Sequence, residues 1–274
     1  MQDNRRCINC NTELTGEFCH NCGQKNTIKR ITLRTLIEDF TSKWLGWDNK
    51  FLKTVKGLTV SPGKVVAAYL DGIRVNYVGP LGYAFLTTTI MILLYNYLDI
   101  DIAEMLKESQ KAFGQDVDTG RPEMQEYIKS MNTAMSENYR YMVMTMIPFL
   151  ALSGLIFYSN DELRKTNYLE QCVIYFYLAG HTVWLSILNI AVLKFIGIKY
   201  SWIVSPFSLI YTLYGIYDFQ GKKGFKGIIK ALFTYFIGFI FFMIAAMIVS
   251  VVYMVFFTDT IQSIIDNAQN AKGS

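Results

Sequence analysis

Apolar and polar positions are distributed very unevenly along the chain. Residues 1–78 interleave charged and apolar side chains and contain no uncharged run long enough to cross a bilayer. Beyond them lie five long apolar stretches, at about 80–98, 141–159, 171–193, 201–217 and 228–257. A helix needs roughly 20 apolar residues to cross the hydrocarbon layer, so the pattern predicts an all-α polytopic membrane protein with about five transmembrane helices. The fourth stretch is the weakest, because Pro206 interrupts it. The fifth is overlong and must tilt, bend or project beyond the lipid. The expected organisation is a metal-binding head over 1–27, a basic amphipathic segment over 28–78, a transmembrane domain over 79–257 with a polar outer loop at 99–140, and a tail at 258–274. No charged n-region and cleavage site precede the first stretch, so a cleavable signal peptide is not expected.

Composition agrees with this pattern. Hydrophobic types make up 52% of the 274 residues and charged types 18%, below the soluble average of about 25%. A soluble enzyme and a disordered chain are both disfavoured. Charge also gives an orientation. With a cytoplasmic N-terminus and five spans, the inner segments carry 18 Lys and Arg against 8 outside, as the positive-inside rule requires. Lys222, Lys223, Lys226 and Lys230 are the clearest short cluster. The 99–140 loop, with nine acidic and five basic residues, suits the outer side, where it forms either a small helical hairpin or a solvated connector. The expected location is a bacterial inner membrane, with the C-terminus outside.

One motif carries specific chemistry. Cys7-Ile-Asn-Cys10 is followed after eight residues by Cys19-His-Asn-Cys22. Thiolates two residues apart on a tight turn reach one metal, and two such knuckles complete a tetrahedron. Gly23 suits the turn, and Phe18 is expected to pack beneath the site. The reading is a minimal zinc ribbon with a structural zinc on Cys7, Cys10, Cys19 and Cys22. Two disulfides or two redox pairs are the alternatives; a reducing cytoplasm weakens the first, and the lack of a βαβ context weakens the second. His20 reads as a surface residue and Cys172 as a small buried hydrophobe.

Residues 28–75 place Ile31, Leu33, Leu36, Ile37, Phe40, Leu45, Phe51 and Leu52 on a broad helical face. Basic residues line the remainder. Arg34, Lys43, Trp44, Trp47, Lys50 and Lys53 are candidates for membrane-surface contact, with the tryptophans in the headgroup layer and the cations on anionic lipid. Packing of the same helix on the cytoplasmic ends of the spans is the other reading, and the two are compatible.

Several segments together resemble a known family: the paired Cys-x2-Cys ending in Gly23-Gln24-Lys25, then Arg30-Ile-Thr-Leu-Arg-Thr-Leu, Glu38-Asp39-Phe40, and Ser61-Pro62-Gly63-Lys64 through Tyr69, Gly72, Arg74, Tyr77 and Pro80. They are similar to a bacterial family of zinc-ribbon membrane proteins classed as domain of unknown function 3667. The resemblance implies a cytoplasmic-membrane protein with an N-terminal ribbon and carries no activity. The family's third span often begins with Glu-His and carries further histidines. Here Gln171 follows Glu170 and Tyr177 stands at a histidine position, so histidine-based metal chemistry does not carry over. The five-span layout is also similar, by topology alone, to Yip1-type membrane proteins.

Polar residues within apolar stretches are costly and need a reason. Glu170, Tyr177 and His181 fall on nearly one face of the third span, and Asn189 lies 80° round from His181. They form a candidate intramembrane polar site. His181 either relays protons or is neutral and hydrogen-bonded to a neighbouring helix, with Thr87, Thr88, Thr89 and Asn96 as candidate partners. Gly154, Gly180, Gly215 and Gly238 read as points of close helix approach. Phosphate-loop, zinc-protease, nucleophile-elbow and dinucleotide signatures are absent, which leans against an enzyme. The function expected is an interaction or scaffold protein whose ribbon and basic segment engage a cytoplasmic partner or lipid headgroups. Nucleic acid is disfavoured, and oligomerisation through the spans stays open. The alternative is a small transporter or membrane-embedded enzyme built around Glu170, Tyr177 and His181.

Overall fold

Backbone amides in an apolar environment must be paired within their own segment, which a helix achieves without a neighbour. The computed structural model is helical over the described parts of the long apolar stretches. It describes residues 6–26, 30–42, 50–100, 138–158, 165–197, 205–221 and 224–272, with isolated positions between 104 and 133. The predicted outer-loop hairpin, like Lys43, Trp44 and Trp47, lies outside the described residues. Among the described residues there are eight helices: α1 (Leu33–Ser42), α2 (Lys50–Val60), α3 (Pro62–Leu70), α4 (Pro80–Tyr97), α5 (Tyr139–Tyr158), α6 (Tyr168–Phe195), α7 (Ser205–Gln220) and α8 (Phe225–Lys272). The only β pairing among them is two isolated bridges in the N-terminal head, Arg6 with Glu13 and Phe18 with Lys25.

Two helices, over Tyr141–Tyr158 and Phe225–Val249, are long and apolar enough to cross a membrane. They run antiparallel. The Ser153 hydroxyl donates to the Thr234 carbonyl at 2.7 Å, Phe149 meets Phe242 edge to face at 5.9 Å, and the Lys230 ammonium lies 4.2 Å from the Tyr158 ring centroid. α8 is a single helix of 48 residues, about 72 Å long at 1.5 Å per residue. The overlong stretch therefore projects rather than breaks, and the expected tail is helical as far as Lys272. Pro206 does not interrupt the fourth stretch. It is the second residue of α7, in the first turn, where its missing N–H has no intrahelical partner to lose. α7 has 16 residues and so spans about 24 Å, short of the roughly 30 Å of a hydrocarbon layer.

α6 is the central element. It meets α4 at Gly180, where an added Cβ would lie 2.7 Å from Ala84 Cα, and α7 at Gly215, which sits against Leu178. Gly154 and Gly238 likewise face neighbouring helices. The segment expected as one interfacial helix or a broken one folds as three helices. α2 and α3 pack on α6 and α7, and Thr54 and Leu58 are fully buried. The Ser61-Pro62-Gly63 sequence has a specific reason. Pro62 opens α3, and the Gly63 N–H donates to Asp218 Oδ2 at 2.8 Å, a carboxylate placed at a helix N-terminus. The approach is so close that a Cβ on Gly63 would stand 2.5 Å from the Asp218 backbone.

Arg30 and Ile31 lie against the start of α6 and Gly63 against the end of α7, so the N-terminal segment gathers at one end of the bundle. Because α3 and α7 touch backbone to backbone, Gly63→Ala is expected to destabilise the fold by about 1–3 kcal/mol, the usual cost of overpacking. Thermal unfolding in detergent micelles measures this, and an unchanged midpoint contradicts the packing described.

Candidate metal centre and the polar seam of α6

Each knuckle is built the same way. In the first, the Cys7 N–H donates to the Thr12 carbonyl and the Asn11 N–H to the Cys7 carbonyl, both at 2.8 Å. In the second, Cys19 pairs with Gln24 and Gly23 with Cys19 at the same distance. The tight turn needs a left-handed residue after the last cysteine, and both positions have it: φ is 60° at Asn11 and 71° at Gly23. Asn tolerates that region better than other residues with a side chain. Asn11 is therefore the counterpart of Gly23, a role that sequence reading missed although residue type and spacing signal it.

The four sulfurs all lie within 4.8 Å of one another, with Cys7 to Cys22 at 3.6 Å and Cys10 to Cys19 at 3.5 Å. A tetrahedral metal with sulfur ligands at about 2.3 Å has sulfur–sulfur edges of about 3.8 Å. The four cysteines could therefore bind one metal ion, and all are free thiols. Their acidities are not alike. Hydrogen bonding with the side chain and backbone of Thr12 lowers the Cys10 thiol to about 6, whereas burial pushes Cys7 up to about 11. A bound cation would offset that burial cost by holding Cys7 as the thiolate. Phe18 does not pack beneath the site. It is 58% exposed, with the Lys25 ammonium 5.6 Å from its ring centroid, since the two hydrogen-bonded turns close the site without a hydrophobic floor.

The head is docked rather than tethered. Gln24 is buried, and its amide donates to the Gly72 carbonyl at 2.7 Å while its oxygen accepts from the Val75 N–H at 3.4 Å. The Asn76 amide donates to the Asn9 side-chain oxygen. Further along, Arg30 Nε lies 3.2 Å from Glu170 Oε1. At α1, Thr32 and Thr35 exchange hydrogen bonds between backbone N–H and side-chain oxygen, which caps the helix in the manner of a capping box.

Glu170, Tyr177 and His181 share a face of α6 but do not meet in one crevice. Glu170 closes a capping box with Asn167 in addition to its ion pair with Arg30. The Tyr177 hydroxyl donates to the Val78 carbonyl at 2.6 Å. His181 is buried between Thr59, whose Oγ1 is 3.2 Å from Nε2, and Tyr83, whose hydroxyl is 2.9 Å from Nδ1. Thr87, Thr88 and Thr89, expected as partners, instead donate to carbonyls of their own helix. The side chain of Asn189 lies outside the described residues. Of the candidate surface residues, Lys53 is exposed, Lys50 half-buried and Arg34 exposed on α1, while the opposite face of α2 is buried against the bundle.

The heavy-atom geometry around His181 favours one set of proton directions. Thr59 lies 2.8 Å from the Val55 carbonyl; when its hydroxyl donates there, Nε2 carries the hydrogen it shares with Thr59. Trp184 Nε1 donates to the Tyr83 oxygen at 3.1 Å, leaving the Tyr83 hydrogen for Nδ1. The chain runs from Trp184 through Tyr83 and His181 to Thr59 and ends on a backbone carbonyl, which takes no proton. Nitrogen NMR of histidine-labelled protein is expected to show His181 as the neutral Nε2–H tautomer. His181→Leu is expected to cost about 1–3 kcal/mol, because it leaves the hydrogen of the buried Tyr83 hydroxyl without a partner, and His181→Gln, which keeps a donor and an acceptor, less. Equal stabilities of the two variants contradict this arrangement.

Comparison with known proteins adds one finding. No curated protein and no solved structure matches the chain. Residues 48–92, which cover α2, α3, the 71–79 connection and most of α4, match the model of a family described as a protein of unknown function, DUF3667. Over those residues the chain is similar to the DUF3667 family.

Proposed function

We propose that this is an inner-membrane scaffold whose N-terminal head holds one structural zinc ion and presents a surface to a cytoplasmic partner. α4 to α8 form the membrane-embedded part, with the head end of the bundle cytoplasmic. The observation that carries the proposal is the docked, closed four-cysteine head. Four thiolates fill the coordination sphere of zinc and leave no position for substrate or water. Soft thiolate ligands in a tetrahedron suit zinc among the common divalent ions. The site is thus suited to holding a shape. The shape it holds turns Arg6, Glu13, Phe18 and Lys25 outward, while Gln24, Asn9 and Arg30 fasten the other side to the bundle.

Lys53, Lys56 and Lys64 are exposed on α2 and α3 beside Leu52 and Val60. This arrangement suits a helix pair at the headgroup layer, where the basic residues meet anionic lipid. Against a transport or catalytic role, the polar groups of Glu170, Tyr177 and His181 are already occupied by protein partners.

Freshly purified, chelator-free protein is expected to contain about one zinc per chain, and less than half an equivalent argues against the site. Zinc should be released as pH falls, because protons compete with the metal for the thiolates. The partner is tested by placing a photocrosslinking amino acid at Phe18 in native membranes. Capture of one cytoplasmic protein or of lipid, lost in the Cys19→Ser and Cys22→Ser variants, supports the scaffold reading. No zinc-dependent capture, together with a cellular role abolished by a folded, zinc-loaded His181→Gln variant, overturns it.

A further inference from the structure

α6 has a second face, opposite the one that docks the N-terminal segment. There residues of α4, α5, α6, α7 and α8 line a partly open cavity of about 230 Å³. Hydroxyls of Thr88, Thr182, Ser208 and Thr212 line it, together with the phenol-bearing side chains of Tyr175 and Tyr235. The remaining wall is apolar, with Met146, Leu178 and Leu209 its larger members, and no charged side chain lines it.

The hydroxyls are directional. Thr88 donates to the Ala84 carbonyl at 2.7 Å, Thr182 to Ala179 at 2.8 Å, and Thr212 to Ser208 at 2.9 Å. Their single protons are committed to their own helices, and a hydroxyl oxygen retains acceptor capacity. Toward an occupant these three side chains act as acceptors. The lack of a lining charge disfavours an ion, because a buried charge needs a partner. Size sets a further limit. An apolar cavity of about 150 Å³ takes benzene, so this one takes a molecule of about nine heavy atoms. The way in is apolar as well. Leu209 lines the cavity yet is 38% exposed, and on the same helix Phe207 and Ile210 are exposed.

We propose that this cavity is a binding site for a neutral, membrane-partitioning alcohol or amide. The hydrocarbon part lies against Met146, Leu178 and Leu209, and the O–H or N–H donates to the threonine oxygens. The site is independent of the zinc-dependent surface, and it gives the membrane-embedded helices a ligand of their own.

The test is photolabelling of the full, zinc-loaded chain with azioctanol in phosphatidylcholine vesicles, with labelled peptides located by mass spectrometry. Label is expected on the α6 and α7 residues of the cavity wall, displaced by octanol but not by octane. Ala179→Leu, which fills the cavity, should remove the label. Thr212→Val keeps the shape and deletes one acceptor, so octanol should compete about fivefold more weakly, the loss of one ordinary hydrogen bond. Label spread over outward residues such as Phe207 and Leu232, unchanged by either variant, overturns the site. Displacement by octane as effectively as by octanol overturns the assignment of a hydrogen-bonding ligand.

Discussion

Polar groups on an apolar helix must be paired, and in α6 that requirement organises the N-terminal third of the chain. From the start of the helix upward, the Asn167 amide donates to the Ile31 carbonyl at 3.4 Å, Glu170 takes Arg30, Tyr177 takes Val78, and His181 takes Thr59 and Tyr83. These contacts are made with residues more than 90 positions earlier in sequence. They lie along one stripe because a single surface, made from residues 30 to 83, lies against it. The stripe Glu170, Tyr177 and His181 thus lies along a seam in which each polar group has a protein partner.

The seam also connects the metal site to the bundle. The 71–79 connection is held from both sides. Gln24 grips its first half through Gly72 and Val75. At its far end the Val78 N–H donates to Thr54 Oγ1 at 3.0 Å, and the Val78 carbonyl receives Tyr177. A buried amide satisfying two backbone groups is costly to disturb, since removing it orphans both. The orientation of the knuckles relative to α6 is therefore fixed through a few residues, and a metal that orders the knuckles also orders Gln24, two residues beyond Cys22. The family match over residues 48–92 covers α2, α3 and this connection, the part of the chain to which Gln24 fastens the four-cysteine head.

What could be read from sequence was whatever is local. Cysteine spacing located the four thiolates, because two residues on a turn leave little freedom. Apolar runs located the later helices, and glycines within them marked close approaches. What could not be read was long-range pairing. Nothing near His181 in sequence points to Thr59, 122 positions away, and the threonines that seemed better placed satisfy themselves by bonding back to their own helix. Pro206 misled for a related reason: proline breaks a helix interior and starts a helix equally well, and hydropathy alone does not say which turn it occupies. Phe18 misled because a packed floor was expected beneath the metal, whereas paired turns with left-handed Asn11 and Gly23 supply the closure through the backbone. The three-way split of residues 30–70 follows from proline and glycine chemistry at Ser61-Pro62-Gly63, legible as a motif but not as a contact with Asp218.

The two faces of α6 differ in how their hydrogen bonds are arranged, and that difference separates structure from ligand binding in this bundle. On the seam, donors and acceptors are matched: Trp184, Tyr83, His181 and Thr59 form a directed chain in which each proton has one destination. Such a chain has nothing left for a substrate and no terminal base to receive a proton, so its role is to fix α2 and α4 against α6. On the opposite face, Thr88, Thr182 and Thr212 have placed their protons within their own helices, and their oxygens line a space too large and too apolar to be filled well by water alone. Each of these hydroxyls is satisfied as a donor within its helix, and its oxygen retains capacity to accept. A donor arriving from the membrane would meet acceptor oxygens there, whereas on the seam it would meet groups already matched to one another.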